Sequence, residues 1–163
     1  MTYGNFTQGF FYPKHPEKYI GNSKPVYRSS YELRTMHFMD DNQYILKWSS
    51  ERVVIPYKLP DSFYKDPSKN RTRRYFVDFY CEVKDINGEI KKYLVEVKPK
   101  NQTVPPVLPK RQTDKSIRNY KRKAITYVIN DSKWKAAEQY CKKMGYIFKK
   151  LTEEEIYNLK VNL

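Results

Sequence analysis

The chain has 163 residues, 39% of them hydrophobic and 16% aromatic, which suits one domain with a single core and excludes a chain disordered throughout. Lys and Arg number 32 against 18 Asp and Glu, a net charge of +14 that is the footprint of a protein meeting a polyanion. No apolar run approaches the ~20 residues of a membrane helix, the opening "MTYGNFTQGFFYPKHPEKY" lacks a basic-then-apolar leader pattern, and two Cys with two His give no zinc spacing. A soluble protein is expected, whose metals would be held by oxygens.

Residues 1–26, rich in Tyr, Phe, Pro and Gly without period, predict an extended aromatic arm lying over the body or a partner; residues 27–163 predict one domain. "YRSSYELRTMHFMDDN" predicts a helix capped by Ser29, with Glu32 completing a capping box, Leu33 and Met36 on its apolar side, and an end near Asp41–Asn42. The next expected element is a short strand, "ERVVIPY", closed by Pro56, and then a polar, basic loop. "YFVDFYCEV" and "KKYLVEVK" are expected as two strands of a hairpin turning through "DING". A Pro-rich connector, "KNQTVPPVLPK", leads to a helix over about 114–130 with Arg111, Lys115, Arg118 and Arg122 on a basic ridge. A second helix is expected from Asp131–Ser132, with Trp134, Ala137, Cys141 and Met144 on one face and Gly145 as its stop. "YIFKKL" is a last strand, and Thr152 with Glu155 opens a final short helix. Cys81 and Cys141 fall on apolar faces and are expected as reduced core residues. The order gives an α/β fold, a mixed β-sheet with helices on its faces.

The hairpin register carries the chemistry. Val77, Phe79, Cys81 and Val83 alternate on one strand, as do Tyr93, Val95 and Val97 on the other. A two-residue Asn87-Gly88 loop would oppose the apolar set of one strand to the polar set of its partner. A three-residue loop with left-handed Gly88 instead sets Val77 opposite Val97, Phe79 opposite Val95 and Asp78 opposite Glu96. Facing carboxylates repel unless a cation joins them, which points to Mg²⁺, with Lys98 beside them to steady an attacking water or developing negative charge. The alternative is a solvated hairpin face with a cross-strand salt bridge. Glu32 stands where it could either cap its helix or reach the metal from above, and Glu51 reads as structural, opening a strand beside Arg52.

Glu32 in "SSYE", Asp78 in "FVDF" and Glu96 with Lys98 in "VEVKPK" resemble the PD-(D/E)xK nuclease signature. The wording of "VYRSSYEL", "WSSERVVIPY", "RRYFVDFY", "YLVEVKPK" and "WKAAEQYCKKMGYIFKKLTEEE" is similar to that of the head completion nucleases of tailed bacteriophages, themselves similar to the endonuclease subunit of heteromeric transposases. The resemblance covers most of residues 15–157. One departure is Val77, where the motif has proline. It implies a restriction-endonuclease-like core cutting DNA with Mg²⁺, Mn²⁺ being able to substitute. It further implies Glu32, Asp78, Glu96 and the Val97 carbonyl as ligands, and Lys98 as the catalytic lysine. The implied role is head completion on packaged, branched or free-ended DNA before tail attachment. That would place it in the host cytoplasm during assembly or in the virion, beside portal and connector proteins of the head-neck region. Arg73, Arg74, Lys100 and the Arg111, Lys115, Arg118 and Arg122 ridge would meet DNA phosphates. The competing reading is a non-catalytic DNA-binding protein of the virion head-tail region.

Overall fold

The computed structural model describes residues 8–158. Residues 1–7 of the expected arm and 159–163 of the expected domain lie outside the described span. The central sheet has four strands in the order β3 (Ile45–Ser50), β6 (Phe79–Lys84), β7 (Ile90–Val97) and β8 (Ile147–Leu151). The first three run antiparallel, and β8 lies parallel to β7. A parallel neighbour requires a crossover, which the long helix α2 (Asp114–Met144) provides. Two small ribbons flank the sheet: β1 (Gly9–Phe10) with β2 (Val26–Tyr27), and β4 (Val54–Tyr57) with β5 (Arg73–Phe76).

Both faces of the sheet are covered. On one, Trp48, Phe79, Cys81, Val95 and Val97 pack with Met36 and Met39 of α1 (Ser30–Asp41) and Ile156 of α3 (Glu153–Asn158). Phe11 joins this core from the amino-terminal segment, its ring edge-on to Trp48 at 5.8 Å. On the other face, Tyr80 and Leu94 pack with Ala137 and Cys141 of α2, with Ile55, Tyr57 and Tyr75 of the β4–β5 ribbon, and with Val77 just after it. Both cysteines are buried and free. No described helix is long and apolar enough to cross a membrane.

From Phe79 onward the hairpin register is the one the alternation demanded, but the ladder ends there: the expected pairs Asp78–Glu96 and Val77–Val97 are not made, and Val77 packs in the second core while Val97 packs in the first. Phe79 pairs with Val95 and Lys84 with Ile90; Ile86, Asn87 and Gly88 form a three-residue loop closed by Asp85 N–H to Glu89 O, with Gly88 at φ +83°.

Several elements differ from the sequence reading; the strand expected over 51–57 begins only at Val54 and runs through Pro56 to Tyr57, so Glu51 opens no strand, and the short β1–β2 ribbon was not expected. Strand β3 was not expected. A register shift between Ile45 and Lys47 lets Ile45 and Trp48, three residues apart, enter the same core, so the two-residue alternation is broken where it would have been read. The strand expected over "YFVDFYCEV" is two strands, interrupted at Val77–Asp78. Finally, α2 is one helix of 31 residues. Ser132, expected to begin a second helix, donates its hydroxyl back to Val128 O at 2.8 Å, and Asp131 pairs with Lys135 one turn on at 2.7 Å. Their polar side chains are satisfied inside a continuous helix, and no cap is needed. Trp134, Ala137 and Cys141 are buried as expected, whereas Met144 is exposed.

Candidate active site

The break between β5 and β6 builds the site. Val77 N–H donates to Val53 O at 3.0 Å, and Glu51 N–H to Asp78 O at 3.1 Å, so the chain leaves the hairpin ladder here and turns toward β4. As a result Val77 packs in the second core while Phe79 packs in the first, although an unbroken strand would put both on one face. The Asp78 carboxylate takes over from the lost ladder: its Oδ2 accepts the Val97 N–H at 2.8 Å.

Glu96 follows on β7 and is only 2% exposed. The α2 layer and the β4–β5 ribbon cover its face of the sheet, so it is no solvated strand position. A buried carboxylate must have partners, and Glu96 has one per oxygen. Lys98 Nζ stands 3.1 Å from Oε1, and the Tyr75 hydroxyl donates to Oε2 at 2.6 Å. Tyr75 was missed in the sequence because its place relative to Glu96 depends on the break after it; its own residue type carried no signal.

The electrostatics tie the group together. Burial first, and then the Glu96 carboxylate, push the Asp78 carboxyl up to about 8, against the opposing effects of the Lys98 ammonium and the Val97 N–H. Burial acts to lower the Lys98 ammonium, but Glu96 and then Asp78 outweigh it and hold it above the usual lysine value. Lys98 is therefore a charged donor at neutral pH.

Glu32 approaches from the first turn of α1, close enough for its charge to act on both Asp78 and Lys98. Its oxygens are held locally: Oε2 accepts the Arg28 N–H at 2.8 Å and Oε1 lies 3.3 Å from the Ser29 hydroxyl. The Ser29 cap itself is made as expected, accepting the Glu32 N–H at 3.1 Å. Sequence reasoning also missed Arg28, whose guanidinium bonds the Glu51 carboxylate. Glu51 sits at φ +51°, the one non-glycine in the left-handed region among the described residues. Such strain persists where surrounding contacts impose it, and here they are the Glu51 N–H to Asp78 O bond and the pair with Arg28.

Asp78, Glu96 and Lys98 are thus brought together, with Glu32 at the edge. Among the described residues no three Asp, Glu, His or Cys side chains form a ready-made metal cluster. The donor chemistry nevertheless suits a hard divalent ion. Asp78 and Glu96 are two carboxyl oxygen donors set close together, burial and then the Glu96 charge raise Asp78, and Asp78 Oδ1 carries no hydrogen bond among the described residues.

The cationic residues are dispersed. Arg73 and Arg74 are exposed on β5; Arg73 donates to the Tyr64 hydroxyl at 3.0 Å and Arg74 lies 5.6 Å from the Phe76 ring centre. Lys100 is paired with Glu154 at 2.7 Å, so part of its charge is spent on α3. Arg111, Lys115, Arg118 and Arg122 are all exposed, Arg111 just ahead of α2 and the other three along it.

Comparison with known proteins identifies the family. The family model described as "TnsA-like endonuclease N terminal" matches residues 42–153, a span that contains Asp78, Glu96 and Lys98. The chain belongs to the TnsA-like endonuclease family. It is also 35% identical over 147 residues to the head completion nuclease of Enterobacteria phage T4, covering 90% of this chain and 91% of that protein. Membership makes it a DNA endonuclease with a restriction-endonuclease-like α/β fold, and the mixed sheet with helices on both faces is that architecture. Glu32 lies ahead of the span that the family model covers.

Proposed function

We propose that this endonuclease is Mg²⁺-dependent and acts in phage head completion, hydrolysing phosphodiesters of packaged or of branched or free-ended DNA before the tail joins. The observation that carries the catalytic part is the meeting of Asp78, Glu96 and Lys98 at the break between two strands. The head-completion part is carried by likeness to a phage protein named for that role.

Asp78, Glu96 and the Val97 carbonyl would hold the ion, with Glu32 joining once it leaves the Arg28 N–H. Bound there, Mg²⁺ would supply Lewis-acid charge neutralisation at the phosphate. The protein's own groups do the rest. Lys98, kept charged by its carboxylate neighbours, donates hydrogen bonds to the attacking water and to the oxygen on which negative charge develops; it is no base. Tyr75 fixes the orientation of Glu96. Arg73 and Arg74 lead phosphate toward Asp78, and the Arg111, Lys115, Arg118 and Arg122 ridge follows the backbone by charge without reading bases. Lys100 reaches phosphate by exchanging Glu154 for it. Mn²⁺ would satisfy the same oxygen donors. In this reading the protein works in the host cytoplasm beside the portal and connector proteins of the filled head, and is retained in the virion if it stays docked there.

The test is Lys98→Ala. With Mg²⁺ and branched or free-ended DNA the variant should not cut, and cutting at the wild-type rate would overturn the assignment. Filled heads assembled with the variant should fail to accept tails; normal joining would separate the nuclease from head completion.

A further inference from the structure

The amino-terminal half of α2 supplies no fully buried residue, and of its hydrophobic side chains Ile129, at its end, packs against the second core. None of residues 114–129 is buried, and the buried positions of the helix begin at Asn130. Alongside this half runs the Pro-rich connector, whose Val104, Val107 and Leu108 are exposed at 53%, 89% and 51%. Helix and connector enclose an open groove of about 640 Å³, within the range of sites that hold small organic groups.

Its lining has the chemistry of a binding site. Ser116, Asn119, Tyr120, Lys123 and Tyr127 recur at helical spacing and face the groove, with Arg122 at its edge. Tyr127 is engaged, edge-on to Trp134 with ring centres 6.5 Å apart. Tyr120 makes no ring contact or side-chain hydrogen bond among the described residues, and neither does the Asn119 amide. An aromatic face and polar donors are therefore unspent in a concave surface.

Charge identifies the occupant. Residues 100–130 contain eight Lys and Arg and a single acid, Asp114. Of these, Arg122 and Lys123 line the groove beside Tyr120 and no acid lines it, so it fits a ligand that carries both anionic groups and flat rings; a neutral peptide lacks the charge and an acidic one lacks the ring at each charge. Aromatic rings set in a basic groove are how proteins hold single strands, because every base has a face to stack and every nucleotide a phosphate to neutralise. A base within intact duplex offers no free face.

We propose that this groove binds an unpaired stretch of DNA, with one base stacked on Tyr120 and the adjoining phosphates met by Arg122 and Lys123. The inference rests on the proposal above that branched or free-ended DNA is the substrate, and it names the feature recognised: the unpaired segment itself. Such a site would let the enzyme select defects in packaged DNA while leaving continuous duplex alone.

Fluorescence anisotropy with a thymidine single strand of about twelve nucleotides, and a blunt duplex of the same length, tests this in EDTA. Tyr120→Leu should weaken single-strand binding by about five-fold to about a hundred-fold and leave duplex binding unchanged. Tyr120→Phe, which keeps the ring, should bind as wild type. Equal loss for both DNAs, no loss for either, or failure of Tyr120→Phe to restore binding would overturn the site. Because no metal is present and no cleavage is read, none of these outcomes bears on Asp78, Glu96 or Lys98.

Discussion

Replacing Asp78 by Asn separates the cost of the acid pair from the fold that carries it. The amide keeps the shape and can still accept the Val97 N–H, but it cannot ionise. Below about pH 4 the wild-type carboxyl is protonated whether the chain is folded or not, and the two proteins should be equally stable. As pH rises, the unfolded wild type loses that proton near 3.8 while the folded protein keeps it up to about 8. Across that window the unfolded state gains and wild-type stability falls. Each pH unit is worth about 1.4 kcal/mol, so the ceiling is about 6 kcal/mol. Asp78 is half-buried, and solvent screening together with relaxation reduces the expectation to about 2 kcal/mol. Urea unfolding in EDTA should therefore show Asp78→Asn matching wild type at about pH 4 and exceeding it by about 2 kcal/mol at about pH 8. Saturating Mg²⁺ should restore wild type and do little for the variant. A variant less stable than wild type at about pH 8 without metal, or a difference that does not change with pH, would mean that folding does not hold the Asp78 carboxyl protonated.

Tyr75→Phe removes one of the two partners of buried Glu96; it should cost about 1 to 3 kcal/mol in denaturant unfolding, and raise the Mg²⁺ concentration needed for half-maximal cleavage. At Glu51, φ +51° favours glycine, so Glu51→Gly should be more stable than Glu51→Ala by about 1 kcal/mol, both having lost the Arg28 pair; equal stabilities would argue against strain there. Arg118→Ala with Arg122→Ala should weaken duplex binding alike for all sequences and reduce the slope of log K against log salt by about 0.9 per charge removed. A sequence-dependent loss in filter binding would mean that the ridge reads bases.

What could be read from the sequence was local and periodic. The β6–β7 register followed from Phe79, Cys81 and Val83 alternating against Tyr93, Val95 and Val97 across a turn with one glycine, and the Ser29 and Thr152 caps followed from side chains that bond within three residues. What escaped depended on contacts made at long range. Ile45 and Trp48 share a core only because β3 carries an irregularity against β6. Asp131 and Ser132 resemble a helix start until their side chains are seen to be satisfied one turn away. Glu96 looked like one side of a half-exposed strand because its covering, α2, comes dozens of residues later in the chain. The register pointed to Asp78 and Glu96 meeting, but the ladder ends at Phe79 and the break there carries the Asp78 carboxylate to the Val97 N–H; Tyr75 against Glu96 and Arg28 against Glu51 arrive through turns of the main chain that no period announces.

Crystals soaked in Mn²⁺ and measured at the manganese absorption edge would show whether Asp78 and Glu96 form a divalent-metal centre. An anomalous peak is expected between the Asp78 and Glu96 carboxylates, lost in Asp78→Asn, with Lys98 remaining beside Glu96. A protein that cuts DNA with Mn²⁺ but places the peak elsewhere, or nowhere near these carboxylates, would contradict this assignment.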